Sequence, residues 1–124
     1  MTLFQAAGGE APVRAAVDRF VDRMAQDFVI GFFFAGKDLA RIKVHEYEHA
    51  ARALGADTRY TGEPIVPTHR ALRINAGQFR RRLALLRAEL AAFPEAVRER
   101  WLEEQRRLEA LITDGTDCVP PELA

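Results

Sequence analysis

The sequence predicts an all-α domain, and its spacing, composition and length support this prediction. Apolar residues recur at steps of three and four through most of the 124 residues, which is the period of an amphipathic helix. No segment has the pattern of a convincing strand. The chain is 48% hydrophobic, long enough for one core and too short for two. We therefore expect one helical packing unit.

Charge and residue content exclude several classes of protein. Eighteen Lys and Arg residues balance eighteen Asp and Glu residues, so no net field draws the chain toward nucleic acid or an anionic membrane. No apolar run reaches the roughly 18 residues of a membrane span. Residues 1–9 do not have the pattern of a signal peptide. These features predict a soluble cytoplasmic protein that binds neither nucleic acid nor membrane.

The first long helix is predicted over residues 12–24, where Pro12 suits a first turn. Its inward positions are Val13, Val17, Phe20, Val21 and Met24. Residues 28–34 include three adjacent phenylalanines, which cannot form one helical stripe. We interpret this segment as a buried corner that ends at Gly36.

A second helix is predicted from Asp38, a favourable N-cap, to Leu54, with Gly55 as the left-handed residue that ends it. The middle of its apolar face carries polar residues, namely His45, Glu46 and His49. Residues 55–68 contain one further glycine and two prolines and are predicted to form a long loop. His69 follows this loop directly.

Two further helices are predicted to open at Asn75 and Pro94. Their inward stripes are Phe79, Leu83, Leu86 and Leu90 in the third helix and Val97, Trp101, Leu108 and Leu111 in the fourth. Residues 1–113 are thus predicted to form the domain. Residues 114–124, which contain the single cysteine Cys118, are predicted to be a flexible tail.

Separate short elements of the chain match one known family. They are Leu3-Phe4, Gly8-Gly9, Val17, Phe20, Arg23, Phe33-Phe34-Ala35-Gly36, Leu39-Ala40-Arg41, Ala53-Leu54-Gly55, Tyr60-Thr61-Gly62, His69, Ile74 and Phe79. Over residues 3–79 the chain resembles the truncated haemoglobins, most closely their group I. The resemblance implies a two-over-two helical sandwich, a long loop before the proximal histidine, and a haem b held between the helices.

The resemblance also implies roles for individual residues. His69 would be the proximal iron ligand. Without the resemblance, we would interpret this residue as an ordinary loop histidine. Haem needs an apolar slot and an imidazole for its iron. Residues that can furnish the slot are Phe33, Phe34, Ile42, Leu72, Ile74, Phe79, Leu83 and Leu86, and Phe34 would pack against the macrocycle.

The distal side departs from the family pattern. Val21 stands where group I members usually carry a tyrosine that hydrogen-bonds bound oxygen, and valine cannot donate a hydrogen bond. In some members the position of His45 holds a histidine that is a sixth iron ligand. We expect His45 either to be that ligand, opposite His69, or to point to solvent at the haem edge. His49 is expected to be a satisfied core or haem-edge histidine.

Glu46 is unusual because an ionised carboxylate over an apolar haem face costs on the order of several kcal/mol unless it is paired. Arg82 is a candidate partner, because it borders the inward stripe of the third helix and the resemblance places its position in the distal wall. Such a pair would resemble the acid-base and charge-stabilising groups with which peroxidases cleave peroxide. The alternative is that residues 80–82, all arginines, form a solvated basic face while Glu46 turns toward water.

His45, Glu46 and His49 also form a literal H-E-x-x-H motif, which can bind zinc through its two histidines. Glu46 would then activate the bound water and His69 could be a third ligand. The motif fixes only three residues, however, whereas the family resemblance extends over most of the domain. Zinc hydrolysis is therefore the lesser alternative.

The predicted function is that of a haem-binding globin for a small diatomic ligand or peroxide, supporting redox or detoxification chemistry with oxygen or nitric oxide. A haem-dependent nitric oxide dioxygenase or a peroxidase-like activity fits this prediction, with Glu46 and Arg82 as catalytic groups and a reductase or other electron donor as partner. One alternative is a globin-derived haem enzyme for a small organic or nitrogenous substrate. Another is a globin-shaped interaction domain without haem.

Overall fold

The computed structural model describes residues 1–113, which are helical with short connections. In chain order the elements are α1 (Leu3–Ala6), α2 (Glu10–Ala25), the 3-10 helix Gly31–Phe34, α3 (Leu39–Ala53), α4 (Ile65–Arg70), α5 (Ala76–Leu90) and α6 (Glu95–Ile112). The all-α prediction and the four long helices are confirmed, whereas α1 was not predicted. The predicted tail, with Cys118, lies outside the described residues.

The long helices form two layers, with α2 and α3 in one and α5 and α6 in the other. The layers meet because α2 packs on α5 and α3 packs on α6, which gives the two-over-two sandwich. Large apolar side chains fill the space between them, including Phe20, Met24, Leu86 and Leu90 at 2% exposure or less. Burial of each contributes on the order of 1.5–3 kcal/mol.

Side-chain caps begin two of the long helices at the predicted residues. The Asp38 carboxylate accepts a hydrogen bond from the Arg41 amide at 3.2 Å. Asn75 and Gln78 form a reciprocal capping box with distances of 2.8 and 2.9 Å. Gly55 follows α3 with a φ of 94°, a conformation that favours glycine. These local signals set the bounds of α3 and α5.

The segment of residues 28–34 is not the buried corner that the sequence predicted. Phe28 is fully exposed and Phe32 is 61% exposed, while Ile30 is buried. The cause is a tight turn around the Asp27 carboxylate, which accepts hydrogen bonds from the amides of Val29 and Ile30. This turn directs Phe28 outward, so the adjacent phenylalanines divide between the surface and the interior.

The predicted long loop is also shorter than expected. It covers residues 55–64, and the chain then forms α4, which includes His69. Pro67 is compatible with this helix because it is the third residue, where a backbone N–H has no partner within the helix. His69 therefore lies within a helix and does not directly follow the loop.

One inward position at the end of α6 is corrected as well. Leu111 is 40% exposed, whereas Ile112 is 4% exposed and packs with Phe79 and Leu108. Successive helical positions differ by about 100° around the axis, so a shift of one residue exchanges an inward for an outward side chain. Among the helices of residues 1–113, none has the length and apolar character of a membrane span.

Candidate functional site

A cavity of about 570 Å³ lies between α3 and α4 and is closed by α5 and α6. Its volume is in the range of cofactor and small-molecule pockets. The apolar side chains that line it are Met24, Ile30, Phe33, Phe34, Ile42, Ile65, Leu72, Ile74, Phe79, Leu108 and Ile112. The cavity is therefore mostly apolar, with polar groups at a few defined positions.

Six of the eight predicted slot residues line this cavity: Phe33, Phe34, Ile42, Leu72, Ile74 and Phe79. Leu83 and Leu86 do not. Leu83 packs in a small cluster with Leu108, and Leu86 packs in the main core with α2 and α3. Arg82, the neighbour of Leu83 on α5, still lines the cavity, so Leu83 and Leu86 differ from it in facing the packed clusters.

The ring of His69 is oriented by the helix that carries it. Its Nδ1 lies 2.7 Å from the backbone carbonyl oxygen of Ile65, one turn earlier on α4. A carbonyl oxygen can only accept, so Nδ1 carries the proton and donates. In the neutral ring this leaves Nε2 as the unprotonated nitrogen, which is the tautomer in which imidazole bonds a metal through Nε2.

His45 and His49 also line the cavity, from successive turns of α3. The ring of His45 lies 5.8 Å from that of Tyr60, between centroids. Gly62 packs closely on both rings, since a Cβ at this residue would stand 3.0 Å from His45 Cγ and 2.5 Å from the Tyr60 hydroxyl. Residues 60–62 thus hold His45 against the cavity. A larger residue at position 62 would displace the rings of His45 and Tyr60.

The Nε2 atom of His49 is buried and has no hydrogen-bond partner among the described residues. Burial lowers the pKa of His49, and the nearby Glu46 carboxylate offsets this effect only in part. His49 is therefore neutral at neutral pH. No described side chain or backbone group meets Nε2, so the expectation of a satisfied core or haem-edge histidine stays a prediction.

Glu46 and Arg82 form the ion pair that the sequence predicted. Nη2 of Arg82 lies 3.0 and 3.1 Å from the two carboxylate oxygens of Glu46. Burial raises the pKa of Glu46, but the charge and the hydrogen bond of Arg82 lower it by more, so the net pKa lies below its ordinary value. Glu46 is thus an ionised carboxylate. The alternative of a solvated basic face is wrong for Arg82.

Sequence reasoning missed two partners of Arg82. Nε of Arg82 donates to the Gln105 side-chain oxygen at 3.0 Å, and Nη1 donates to the Met24 sulfur at 3.4 Å. Gln105 did leave a signal, because it interrupts the apolar stripe of α6 between Trp101 and Leu108. A polar residue at such a position implies a buried polar partner.

The zinc alternative requires three ligands arranged around one point. Within residues 1–113, no group of three or more His, Cys, Asp or Glu side chains is placed to hold a metal ion. His45, His49 and His69 share the cavity wall without forming such a group. The H-E-x-x-H motif therefore has no three-residue ligand set in this part of the chain.

The residues of the cavity fit a haem. Apolar side chains supply the slot, and His69 lines it with a ring whose Nδ1 is occupied by Ile65, which leaves Nε2 for a metal. Lys37 and Arg41 line the cavity and are exposed, as side chains that meet the carboxylates of a haem at the surface must be. The three requirements of slot, axial imidazole and polar exit are met by residues of this chain.

Comparison with known proteins gives the same result. Residues 2–113 match the family model described as bacterial-like globin. The chain is 36% identical over 76 residues to the group 1 truncated hemoglobin GlbN of Synechocystis sp., and 30% identical over 78 residues to GlbN of Mycolicibacterium paratuberculosis. These matches cover 61% and 63% of this chain, and they span 61% and 57% of the length of the relatives.

A solved structure shares the fold. The truncated hemoglobin of Tetrahymena pyriformis in its Fe(III) form superimposes with a TM-score of 0.82 at 20% identity, covering 94% of this chain and all of that one. Haem, the cofactor expected from the sequence, is the cofactor of this family. Since the family match extends over nearly the whole chain, the protein belongs to the bacterial-like globins, and it is similar to the group 1 truncated hemoglobins among them.

Proposed function

We propose that this globin binds a small diatomic ligand or a peroxide at a haem iron held by His69, and that it supports redox or detoxification chemistry with oxygen or nitric oxide. The observation that carries this proposal is the hydrogen bond from His69 Nδ1 to Ile65, at 2.7 Å, on the wall of an apolar cavity. The bond fixes the tautomer and makes Nε2 more basic. Haem, when bound, supplies an iron that binds small ligands and exchanges electrons.

His45 is proposed as the second axial ligand in the resting protein. Its support is its place on the cavity wall, where Tyr60 and Gly62 pack against its ring. An external ligand would then have to displace His45, which requires α3 or the side chain to move. Such displacement slows ligand entry and protects the iron when no ligand is present.

Glu46 and Arg82 are proposed to serve the chemistry of the bound ligand. Glu46 is ionised, so its role is that of a proton acceptor, and Arg82 can stabilise negative charge that develops on a ligand. Val21 cannot donate a hydrogen bond, and it is buried in the core away from the cavity wall. Nitric oxide dioxygenase and peroxidase-like activities are both compatible with this arrangement.

Sustained turnover of either kind needs an electron donor. We propose a reductase or another redox protein as that partner, and the cytoplasm as the compartment in which the two meet. The zero net charge of the chain gives this encounter no strong long-range steering, so contacts close to the cavity mouth would select the donor.

The first test is the visible absorption of the protein titrated with haemin, in ferric and ferrous forms, with and without carbon monoxide. A stoichiometric low-spin spectrum that carbon monoxide changes is expected, because His45 and His69 would both bond the iron. A high-spin spectrum would contradict the role of His45 and leave that of His69 intact. Failure to bind haem would overturn the proposal.

A further inference from the structure

We propose that Gln105, with Met24, holds the Arg82 guanidinium in one orientation, so that Arg82 is a preset hydrogen-bond donor toward the ligand in the cavity. Gln105 is then a positioning residue, contributed by a helix that carries none of the histidines. The inference rests on the proposed function, and it names the groups that replace the donor lost at Val21.

The guanidinium is held from three helices at once. Glu46 on α3 bonds Nη2, Gln105 on α6 bonds Nε, and Met24 on α2 contacts Nη1. The group also lies over the ring of Phe20, 4.9 Å from its centroid. Because these partners lie on different sides of one planar group, they fix both its position and its tilt.

The contacts leave one donor available. A guanidinium has five N–H bonds. Gln105 takes the bond on Nε, Met24 takes one on Nη1, and the two oxygens of Glu46 account for at most both on Nη2. Among the contacts of residues 1–113, at least one N–H on Nη1 remains without a partner, beside the cavity that Arg82 lines. A ligand that accepts a hydrogen bond can use it.

Gln105 contributes orientation rather than charge. Its side chain is neutral and 2% exposed, and its oxygen accepts from the same nitrogen that joins the guanidinium to its aliphatic chain. Glu46 alone would draw Arg82 toward α3 and allow rotation about its own bonds. A donor fixed before the ligand arrives loses little conformational entropy when the ligand binds.

The test uses variants of similar side-chain volume, and the first of them changes no charge. Gln105→Met removes the acceptor and keeps the volume, while Gln26→Met makes the same chemical change at an exposed residue outside the cavity. Arg82→Met removes the donor itself. Where Arg82→Met fails to fold because Glu46 is left unpaired, the double variant Glu46→Gln, Arg82→Met takes its place.

The first readout is the C–O stretching band of the ferrous, haem-loaded protein under carbon monoxide, which reports the electric field at the ligand. Arg82→Met is expected to move the band to higher wavenumber, because a positive donor has gone. Gln105→Met should move it part of the way and broaden it. In the double variant Gln105→Met, Arg82→Met the band should lie at the same wavenumber as in Arg82→Met alone, since Gln105 acts only through Arg82.

The second readout needs no haem. Hydrogen exchange at Nε of Arg82, followed by NMR in the haem-free protein, is expected to be about fivefold to tenfold faster in Gln105→Met, the factor that one lost hydrogen bond predicts. The Gln26→Met control should exchange like the unaltered protein. A role in stability alone would change neither the stretching band nor its dependence on Arg82.

Three results separate the possibilities. Exchange or a stretching band in Gln105→Met equal to that of the unaltered protein would overturn the role of Gln105. A band unchanged in Arg82→Met would overturn the role of Arg82 as donor. If the unaltered protein binds no haem, the proposed function fails, and the exchange rates still decide whether Gln105 positions Arg82.

Discussion

The two walls of the cavity are built in different ways. His69 lies on α4, a six-residue helix that has no side-chain cap and no buried residue, and one backbone carbonyl orients its ring. On the other side, Glu46 and Arg82 lie within helices of fifteen residues, and Gln105 reaches them from a third long helix. The wall that holds His69, the proposed axial ligand, is thin, because one short helix and one hydrogen bond form it. The wall that holds the charges is supported by three long helices.

The difference follows from what each group requires. A neutral imidazole needs only the correct tautomer and direction, and a single hydrogen bond supplies both. A carboxylate and a guanidinium in an apolar cavity must each be fully partnered. An unpaired buried charge costs on the order of several kcal/mol. Partners from several helices are therefore needed on the charged wall and not on the other.

The largest expected effect comes from a substitution in the wall that carries His69. His69→Ala removes the axial imidazole, and we expect haem affinity to fall by more than about a hundredfold, beyond the loss typical of a residue that only supports a metal ligand. Haemin titration followed by visible absorption measures this. His49→Ala is the matched control, because His49 lines the same cavity and should keep affinity within a few fold. Equal losses in both variants would contradict the assignment.

The next effect distinguishes the two histidines of α3. His45→Ala is expected to convert a low-spin ferric haem to a high-spin one, because His69 would be left as the single axial imidazole. His49→Ala, one turn further along the same helix, should leave the spin state unchanged. Ferric absorption and electron paramagnetic resonance measure it. A low-spin spectrum that survives His45→Ala would show that another group occupies the sixth position.

The sequence predicted the long helices well because their ends carry local signals. Asp38 and Asn75 cap their helices through side-chain oxygens, and such caps depend on residues within one turn. The short helix α4 was missed because it has no such cap and contains Pro67, which in a sequence suggests a loop. The exposed Phe28 was missed for another reason, since its direction depends on the turn around Asp27.

The candidate site was predictable in part. The pairing of Glu46 with Arg82 followed from the cost of burying a lone carboxylate, which a sequence can reveal once the helix face is known. The role proposed for Gln105 did not follow, because its partner is 23 residues away and the pairing depends on how α5 and α6 meet. Leu83 and Leu86 do not line the cavity, because periodicity predicts which helix positions are buried but not which of them border a cavity.

A smaller effect tests the charged wall. Glu46→Gln keeps the shape and the contact with Arg82 but removes the proton acceptor, so peroxide-dependent turnover is expected to slow by about tenfold to a hundredfold. Glu48→Gln is the matched control on α3, because Glu48 instead accepts hydrogen bonds from the Thr61 amide and hydroxyl. Steady-state rates of haem-loaded proteins measure it. Equal rates in Glu46→Gln and the unaltered protein would remove Glu46 from the chemistry.

The smallest effect lies just outside the charged wall, at the neighbour of Arg82. Arg81 does not line the cavity. Its Nη2 bonds the Asp27 carboxylate at 2.7 Å. This hydrogen bond is the main reason that the pKa of Asp27 is lowered, with burial opposing it and the Val29 and Ile30 amides adding to it. Because the folded-state pKa lies below the unfolded one, the stabilisation is present above the unfolded pKa and is lost as pH falls through the folded value.

Asp27→Asn is therefore expected to lower the free energy of unfolding by about 1 kcal/mol at neutral pH, a modest value because Arg81 is 43% exposed. The difference from the unaltered protein should shrink below roughly pH 4, where the carboxyl of the unfolded chain is protonated. Urea unfolding at a series of pH values measures it, with exposed Asp57→Asn as the control. The haem spectrum should not change, since Arg81 and Asp27 do not line the cavity. If Asp27→Asn altered the haem spectrum as much as Glu46→Gln does, the charged wall would extend to the surface. The two walls would then differ less than the helices that carry them suggest.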